Sequence, residues 1–198
     1  MTADAHAHHE EHHSSTGLDN RKLGMWAFLG SETMFFGSLI LVMLINKHNT
    51  LGGPGQEVLD LVLTSFTTFV LLTSSLAMVL SLAAFRNGSL LWGRFWLGMV
   101  MLMGLIFLGG QVYEFTEFVT HKDLTPSTNL FGASFYTLVG FHGAHVGIGV
   151  LWLGTVLAYS WRGRFQPGMD MWGIELVGLY WHFVDLVWVA IFTLIYLI

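Results

Sequence analysis

Two histidines lie three residues apart in the apolar, glycine-rich stretch LVGFHGAHVGIGV, which runs from Leu138 to Val150. On a helix this spacing places His142 and His145 on one face. Paired imidazoles on apolar helices are typical of haem and metal sites. The stretch therefore raises two hypotheses, a redox centre and a different use for two histidines in apolar surroundings.

Three more ionisable side chains lie in apolar stretches, at Glu32, His182 and Asp185. Since His182 and Asp185 are three residues apart, a helix would bring them together as a local imidazole–carboxylate pair. The residues alone leave three interpretations open. Two of the histidines would be axial ligands of a haem, the carboxylates would relay protons or ions, or the carboxylates and imidazoles would satisfy one another and fix helix register.

The elements that must position these residues follow from the composition. Of the 198 residues, 54% are hydrophobic and only 11% are charged, against about 25% charged in soluble domains. Five apolar stretches reach the roughly 20 residues that a helix needs to cross a bilayer. They cover residues 23–46, 61–85, 95–118, 131–159 and 173–197. We therefore predict an all-α integral membrane protein, a five-transmembrane-helix bundle formed by residues 23–198.

Lysine and arginine are distributed unevenly between the two sides of this bundle. Six of the eight basic residues fall on the side of the N-terminus, because the five spans alternate in direction. Those six are Arg21, Lys22, Arg86, Arg94, Arg162 and Arg164, and the other side has Lys47 and Lys122. Cytoplasmic connections carry the excess of basic residues, so we predict a cytoplasmic N-terminus and a C-terminus outside.

Residues 1–22 are polar, acidic and rich in histidine, without apolar periodicity. We expect a disordered cytoplasmic tail. Its imidazoles would either capture copper, zinc or nickel loosely or remain solvated. Cysteine is absent, which excludes disulfides, iron–sulfur clusters and thiolate metal sites. The sequence has no basic tract of the kind that binds nucleic acid.

The second and fourth stretches carry packing signals for a compact bundle. The second has eight serines or threonines, and the fourth has Gly140, Gly143, Gly147 and Gly149. Small and hydroxylated residues let helices approach closely in lipid.

Counting residues inward from the span ends places several ionisable groups at mid-bilayer. Glu32 lies about 14 Å deep at 1.5 Å per residue, and His142, His182 and Asp185 fall at a similar depth, with His145 slightly nearer the cytoplasm. Since each such group needs a partner, we expect these five side chains to meet in one buried polar cluster. Within it, Glu32 should pair with His142 or His145.

Four segments, in this order and at these spacings, resemble subunit III of the haem–copper oxidases. They are LGSETMFFGS (29–38), QVYEF (111–115), ASFYTLVGFHGAHVGIGVLWL (133–153) and YWHFVDLVWVAIFTLIYL (180–197). The resemblance covers all five spans. A lone H-x-x-H is a weak signal, but F-H-G-x-H-V followed some thirty residues later by W-H-F-V-D-x-V-W is highly specific.

The resemblance implies an accessory subunit of a terminal oxidase of aerobic respiration that holds no redox cofactor or metal and has no catalytic residue. Haem and copper would belong to the partner subunits I and II. This chain would stabilise subunit I in a hetero-oligomer, hold a phospholipid in a cleft between its helices, and support proton uptake. His142 and His145 would then belong to a buried structural and lipid-cleft network and would not ligate haem.

The family motifs match this chain residue by residue. Glu32 matches the intramembrane glutamate of the S-E-x-x-F-F motif, which is known for reacting with carbodiimide. The two histidine motifs are matched by His142, His145, His182 and Asp185. Gln111 and Glu114 match the Q-x-x-E-Y/F segment. By position and charge, Arg162 and Arg164 lie where lipid phosphates would sit.

This chain departs from the seven-helix pattern of many family members, in which the first two helices form one wall of the lipid cleft. With five helices, the cleft must be closed differently. The five-helix form is common in bacterial oxidases, so the resemblance implies a multi-pass protein of a bacterial plasma membrane.

The resemblance also bears on the electron donor of the complex. The segments S-E-T and F-H-G-A-H-V favour an aa3-type cytochrome c oxidase, and a quinol oxidase is the alternative. Two functions from other classes stay open, a membrane cytochrome with its own b-type haem and an independent transporter.

Overall fold

Five long helices make up most of the chain in a computed structural model that describes residues 20–162 and 171–198. All five are long and apolar enough to cross a membrane, which confirms the predicted helical fold class. The helices are α1 (Asn20–Asn46), α2 (Leu61–Arg86), α3 (Leu90–His121), α4 (Leu130–Trp161) and α5 (Trp172–Ile191). A 3-10 turn covers Gln56–Val58, and a π-helical segment, Phe192–Leu197, continues α5. The predicted tail lies mostly outside the described residues.

The predicted span limits agree with these helices to within a few residues, and the largest difference is at the start of α3. This helix begins at Leu90, five residues before the predicted span. The predicted span starts after Arg94, but the structure places this residue inside the helix and bonds its guanidinium to Ser160 of α4. Arg94 Nε and NH2 donate to the hydroxyl and carbonyl oxygens of Ser160 at 2.8 and 2.6 Å. The charge is thereby accommodated at the edge of the bundle.

Side-chain caps and a glycine turn define where the helices begin and end. The Asp60 carboxylate accepts hydrogen bonds from the first backbone N–H groups of α2, and Asn129 does the same for Gly132 in α4. Such caps satisfy donors that the helix itself leaves unpaired. Between α2 and α3, Gly88 has a φ of +77°, a conformation that glycine adopts without steric cost.

The helices alternate in direction, so the bundle has two ends with different charge. The Lys22 end, where α1 begins, carries Lys22, Arg86, Arg94 and Arg162 among the described residues, whereas the opposite Lys47 end carries Lys47 and Lys122. Contacts tie each end together: Lys22 reaches Glu175 of α5, and the Lys47 Nζ donates to the Leu194 carbonyl. That the Lys22 end faces the cytoplasm remains a prediction from the charge bias.

Helix α5 packs against α1, α2 and α4, and two tryptophans anchor it. Trp181 and Trp188 are fully buried, and their indole N–H groups donate to hydroxyls of α2. Trp181 Nε1 lies 2.9 Å from Ser74 Oγ, and Trp188 Nε1 lies 2.8 Å from Thr68 Oγ1. The hydroxyl-rich second span therefore supplies hydrogen-bond acceptors for buried indoles in addition to allowing close packing.

Glycines on α3 and α4 make room for the Trp181 ring. A Cβ atom at Gly104 would lie 2.6 Å from this ring, and one at Gly149 would lie 2.9 Å from it, whereas a Cβ at Gly140 or Gly147 would meet open space. Of the glycines predicted to pack α4, Gly149 has that role in the structure. Gly140 and Gly147 make no such close contact.

The π-helical end of α5 is held by side chains from the connection between α1 and α2. The Leu194 carbonyl accepts from Lys47 Nζ at 3.2 Å, and the Ile195 carbonyl accepts from Gln56 Nε2 at 2.7 Å. These are carbonyls near a helix terminus, where the regular ladder of hydrogen bonds ends. Lys47 and Gln56 therefore stabilise the end of the last span.

We expect Gly149→Ala to lower the free energy of unfolding by about 1–3 kcal/mol, the usual cost of overpacking a core, because the added methyl group would overlap the Trp181 ring. Gly147→Ala, two residues away on the same helix, is the matched control and should be neutral. Thermal unfolding of the purified protein in mild detergent measures both. Equal melting temperatures for the two variants would show that this contact does not limit packing.

Candidate functional site

A carboxylate–imidazole pair joins α1 to α4. Glu32 Oε2 lies 3.3 Å from His145 Nε2, and both side chains are mostly buried, with 19% and 15% of their surface exposed. The structure thus brings Glu32 to His145, one of the two histidines that the sequence offered as its partner. The pair links a helix that has no other acidic residue to the glycine-rich helix beside it.

The other ring nitrogen of His145 bonds to the backbone of its own helix. His145 Nδ1 lies 2.8 Å from the Phe141 carbonyl oxygen. Since a carbonyl only accepts, Nδ1 carries a hydrogen and donates it. His145 therefore contacts its own helix through Nδ1 and Glu32 of α1 through Nε2.

His142 has a different environment, although it lies one turn from His145. It is fully buried, and its Nε2 donates to the Val184 carbonyl of α5 at 3.2 Å. The rings of Phe107 and Trp188 enclose the imidazole, with centroids 5.8 and 4.8 Å away. Its Nδ1 has no hydrogen-bond partner among the described residues. His142 therefore connects α4 to α5.

Phe36 packs between the two histidine environments. Its ring centroid lies 4.9 Å from that of His145 and 6.4 Å from that of His142. This phenylalanine is buried and follows Glu32 by one turn of α1. The same turn of α1 thus contributes the acid that pairs with His145 and the ring that covers both imidazoles.

His182 faces α2 and does not pair with Asp185. His182 Nδ1 lies 2.5 Å from the Ser75 hydroxyl oxygen. The hydroxyl also faces the Asp185 carboxyl, but neither Asp185 oxygen has a hydrogen-bond partner among residues 20–162 and 171–198. The predicted local pair of His182 and Asp185 is therefore wrong, because Ser75 of the neighbouring helix takes the imidazole instead.

Gln111 and Glu114, on α3, are both buried. Glu114 accepts a hydrogen bond from Thr64 Oγ1 at 2.9 Å and from the Tyr196 hydroxyl at 3.3 Å. The Gln111 Oε1 has no partner within the described part of the chain. Glu114 therefore ties α2, α3 and the π-helical end together, a contact for which only the hydroxyls in α2 gave a sequence signal.

The structure distributes the expected polar cluster over separate contacts. Glu32 and His145 join α1 to α4, His142 joins α4 to α5, and His182 joins α5 to α2. The five side chains were expected to meet in one cluster, but they contact different neighbouring helices. Within the described ranges, no group of three or more His, Cys, Asp or Glu side chains is arranged to hold a metal ion.

A second charged contact, which the motifs did not indicate, lies at the Lys22 end. Glu175 Oε2 lies 3.0 Å from Lys22 Nζ, and Glu175 Oε1 lies 2.8 Å from Arg86 NH2. One carboxylate thereby ties the starts of α1 and α5 to the end of α2. In the sequence, the signal for this contact was one acidic residue, Glu175, at the end of the bundle that has most of the basic residues.

The two arginines predicted to contact lipid phosphates lie after α4. Arg162 is exposed, directly follows the helix and lies at the Lys22 end. Arg164 lies outside the described residues. The expected lipid contact of these arginines remains a prediction.

Comparison with known proteins places the chain among respiratory oxidase subunits. The family model described as cytochrome c oxidase subunit III matches residues 3–198. A cytochrome c oxidase subunit 3 of Bacillus sp. (strain PS3) is 37% identical, over 100% of this chain and 95% of that protein. A cytochrome bo(3) ubiquinol oxidase subunit 3 of Pseudomonas aeruginosa is 33% identical over 98% and 93%. A quinol oxidase subunit 3 of Bacillus subtilis is 36% identical over 94% and 91%.

We expect Ser75→Ala to destabilise the bundle by about 1 kcal/mol, since it removes the hydrogen-bond partner of a half-buried imidazole. Thr73→Val is the matched control, because the Thr73 hydroxyl bonds only to the Phe69 carbonyl of its own helix on an exposed face. Melting temperatures of both variants in detergent measure the difference. A Ser75→Ala variant as stable as Thr73→Val would indicate that His182 finds another partner.

Proposed function

This chain belongs to the cytochrome c oxidase subunit III family, and on that premise we propose that it is an accessory subunit of a proton-pumping terminal oxidase. In this role it has no catalytic residue of its own. It stabilises subunit I, supports proton uptake during turnover, and leaves oxygen reduction to the haem and copper of subunits I and II. Five membrane-spanning helices and bacterial relatives favour a bacterial plasma membrane, with the N-terminus in the cytoplasm.

The observation that carries this proposal is that His142 and His145 make their polar contacts with other groups of the protein. His145 uses Nδ1 for a backbone carbonyl and Nε2 for Glu32, and His142 uses Nε2 for a carbonyl of α5. These contacts join helices to one another, as expected for side chains that hold a scaffold together in lipid. They support a structural role for Glu32, His142 and His145.

A structural phospholipid also belongs to this proposal. In the sequence motifs, Glu32, His142, His145, His182 and Asp185 are the candidates for the polar network beside it. The exposed, charged position of Arg162 at the Lys22 end supports a contact with a lipid phosphate.

The proposal has two forms, which differ in the electron donor of the complex. We favour a cytochrome c oxidase of the aa3 type, for which the family description and the Bacillus sp. relative give support. The second candidate is a quinol oxidase, because relatives of that kind are 33–36% identical over nearly the whole chain.

The direct test is purification of this chain from its native membrane in mild detergent, with an optical spectrum before and after its partners are removed. We expect haem bands to co-purify with the chain and to leave with the partners, while the 22.1 kDa chain stays colourless. An a-type haem would favour the cytochrome c form. A Soret band retained by the isolated chain would overturn the proposal and indicate a membrane cytochrome.

Substitutions at Glu32 test the supporting role. Glu32→Ala leaves the His145 Nε2 unpaired, a loss of roughly 1–3 kcal/mol, so we expect a normal initial rate of oxygen reduction followed by faster loss of activity during turnover. Glu32→Gln should be milder, because its amide group can still donate a hydrogen bond to Nε2. Oxygen consumption by the assembled complex, followed over many turnovers, measures both.

Ser31→Ala is the control for these variants, since the Ser31 hydroxyl is exposed and bonds to the Phe28 carbonyl of its own helix. It should behave like the unmodified protein. Immediate loss of all activity in a fully assembled Glu32→Ala complex would contradict a supporting role and place Glu32 in the reaction itself.

A further inference from the structure

Asp185 is a buried carboxyl that no contact described above uses. Only 4% of its surface is exposed, and neither of its oxygens has a hydrogen-bond partner among the described residues. By contrast, Glu32 contacts His145, and Glu114 accepts a hydrogen bond from Thr64. A lone carboxyl is costly inside a membrane, so Asp185 calls for a physical explanation of its own.

One polar side chain of a neighbouring helix faces this carboxyl. The Ser75 hydroxyl of α2 faces Asp185, and its oxygen lies 2.5 Å from His182 Nδ1. On α4, His142 lies beside the same turn of α5 but bonds to the Val184 carbonyl. A hydroxyl can accept one hydrogen bond while it donates another. Ser75 therefore connects the carboxyl to the imidazole, two groups of α5, through a side chain of α2.

His182 lies between this hydroxyl and a groove at the Lys22 end of the bundle. The groove has a volume of about 340 Å³ between α1, α2 and α5, and His182 forms part of its lining. The charged side chains of Lys22, Arg86 and Glu175 line its mouth. His182 is ten residues from the start of α5, about 15 Å along the helix. The imidazole thus contacts the groove on one side and Ser75 on the other.

This series of polar groups ends at Asp185. One turn further toward the Lys47 end, α2 presents Leu71 and α5 presents Trp188, and both are fully buried. The Trp188 indole N–H is donated to Thr68, and an indole only donates. Among the described residues, the series therefore has one opening, at the Lys22 end, and does not cross the bundle.

We propose that Asp185 is a proton-binding site inside the bundle, which exchanges protons with the Lys22 end through His182 and Ser75. Water in the groove protonates the imidazole, which releases a proton from Nδ1 to the Ser75 oxygen. The hydrogen already on that oxygen moves to an Asp185 oxygen, and release follows the reverse order. Each step breaks one N–H or O–H bond and forms another, so water is the only co-reactant. The inference goes beyond the proposed function, because the site lies within this chain and takes no part in oxygen reduction.

Burial and charge both favour a proton as the ligand. Surrounding atoms cover both Asp185 oxygens, which leaves no room for a bound water molecule or a metal ion, whereas a proton passed along a hydroxyl needs no space. The nearby cations do not neutralise Asp185, since Lys22 and Arg86 are both engaged by Glu175 at the mouth of the groove. A bound proton removes the charge that is costly at this depth.

The test observes the carboxylic acid directly, in the intact oxidase complex in mild detergent. Comparing infrared spectra of the unmodified protein and of Asp185→Asn identifies the C=O stretch of Asp185. Transfer into heavy water then shifts this band as the proton is replaced by deuterium. We expect a band that is absent from Asp185→Asn and that shifts in heavy water. Ser75→Ala should slow this exchange by about 100-fold, the lower end of what a positioned proton-transfer group contributes.

Three further variants separate proton transfer from a change in packing. Ser75→Thr keeps a hydroxyl and should exchange at the unmodified rate. Thr73→Val removes a hydroxyl that bonds to the Phe69 carbonyl of its own helix, and it should also exchange normally. His182→Phe keeps a flat ring without nitrogen and should slow exchange as Ser75→Ala does. It gives a second measurement if Ser75→Ala assembles poorly.

Two results would overturn the proposal. Identical C=O bands in Asp185→Asn and in the unmodified protein would show that Asp185 holds no proton. Unchanged exchange rates in both Ser75→Ala and His182→Phe would show that the proton reaches Asp185 by another route. Failure of the proposed function is separate from these results, since it would appear as a chain that purifies without haem-bearing partners.

Discussion

A polar side chain that lies inside a bilayer has no water to bond, so each one must find its partner within the protein. Several side chains meet this constraint by bonding across helices, although Asp185, the Oε1 of Gln111 and the Nδ1 of His142 have no such partner among the described residues. Glu32 pairs with His145 across α1 and α4, and His142 donates to a carbonyl of α5. Because each contact joins two helices, the same hydrogen bond or ion pair both gives a polar side chain its partner and fixes how the two helices pack.

Helix α5 is where most of these contacts meet. Its two buried tryptophans bond to hydroxyls of α2, and a glycine on α4 gives the Trp181 ring its space. In lipid the hydrophobic effect does not drive helices together, so close packing and interhelical hydrogen bonds must do so. At the Lys22 end, Glu175 extends this role of α5 into the interface by binding cations from α1 and α2.

The motif residues thus have a consistent physical interpretation in a protein of the subunit III family. The contacts of Glu32 with His145, of His142 with Val184 and of His182 with Ser75 each join two helices of the bundle.

The number, length and approximate limits of the helices were determined by the sequence itself, because roughly 20 apolar residues in a row leave a chain few alternatives in a membrane. Counting residues along the spans made His142 and His145 the candidate partners of Glu32, and the structure pairs Glu32 with His145. The direction of each side chain around its helix axis was decided only by tertiary packing. His182 therefore meets Ser75 instead of Asp185, and Glu175 gathers Lys22 and Arg86, since such partners depend on how helices distant in sequence rotate against one another.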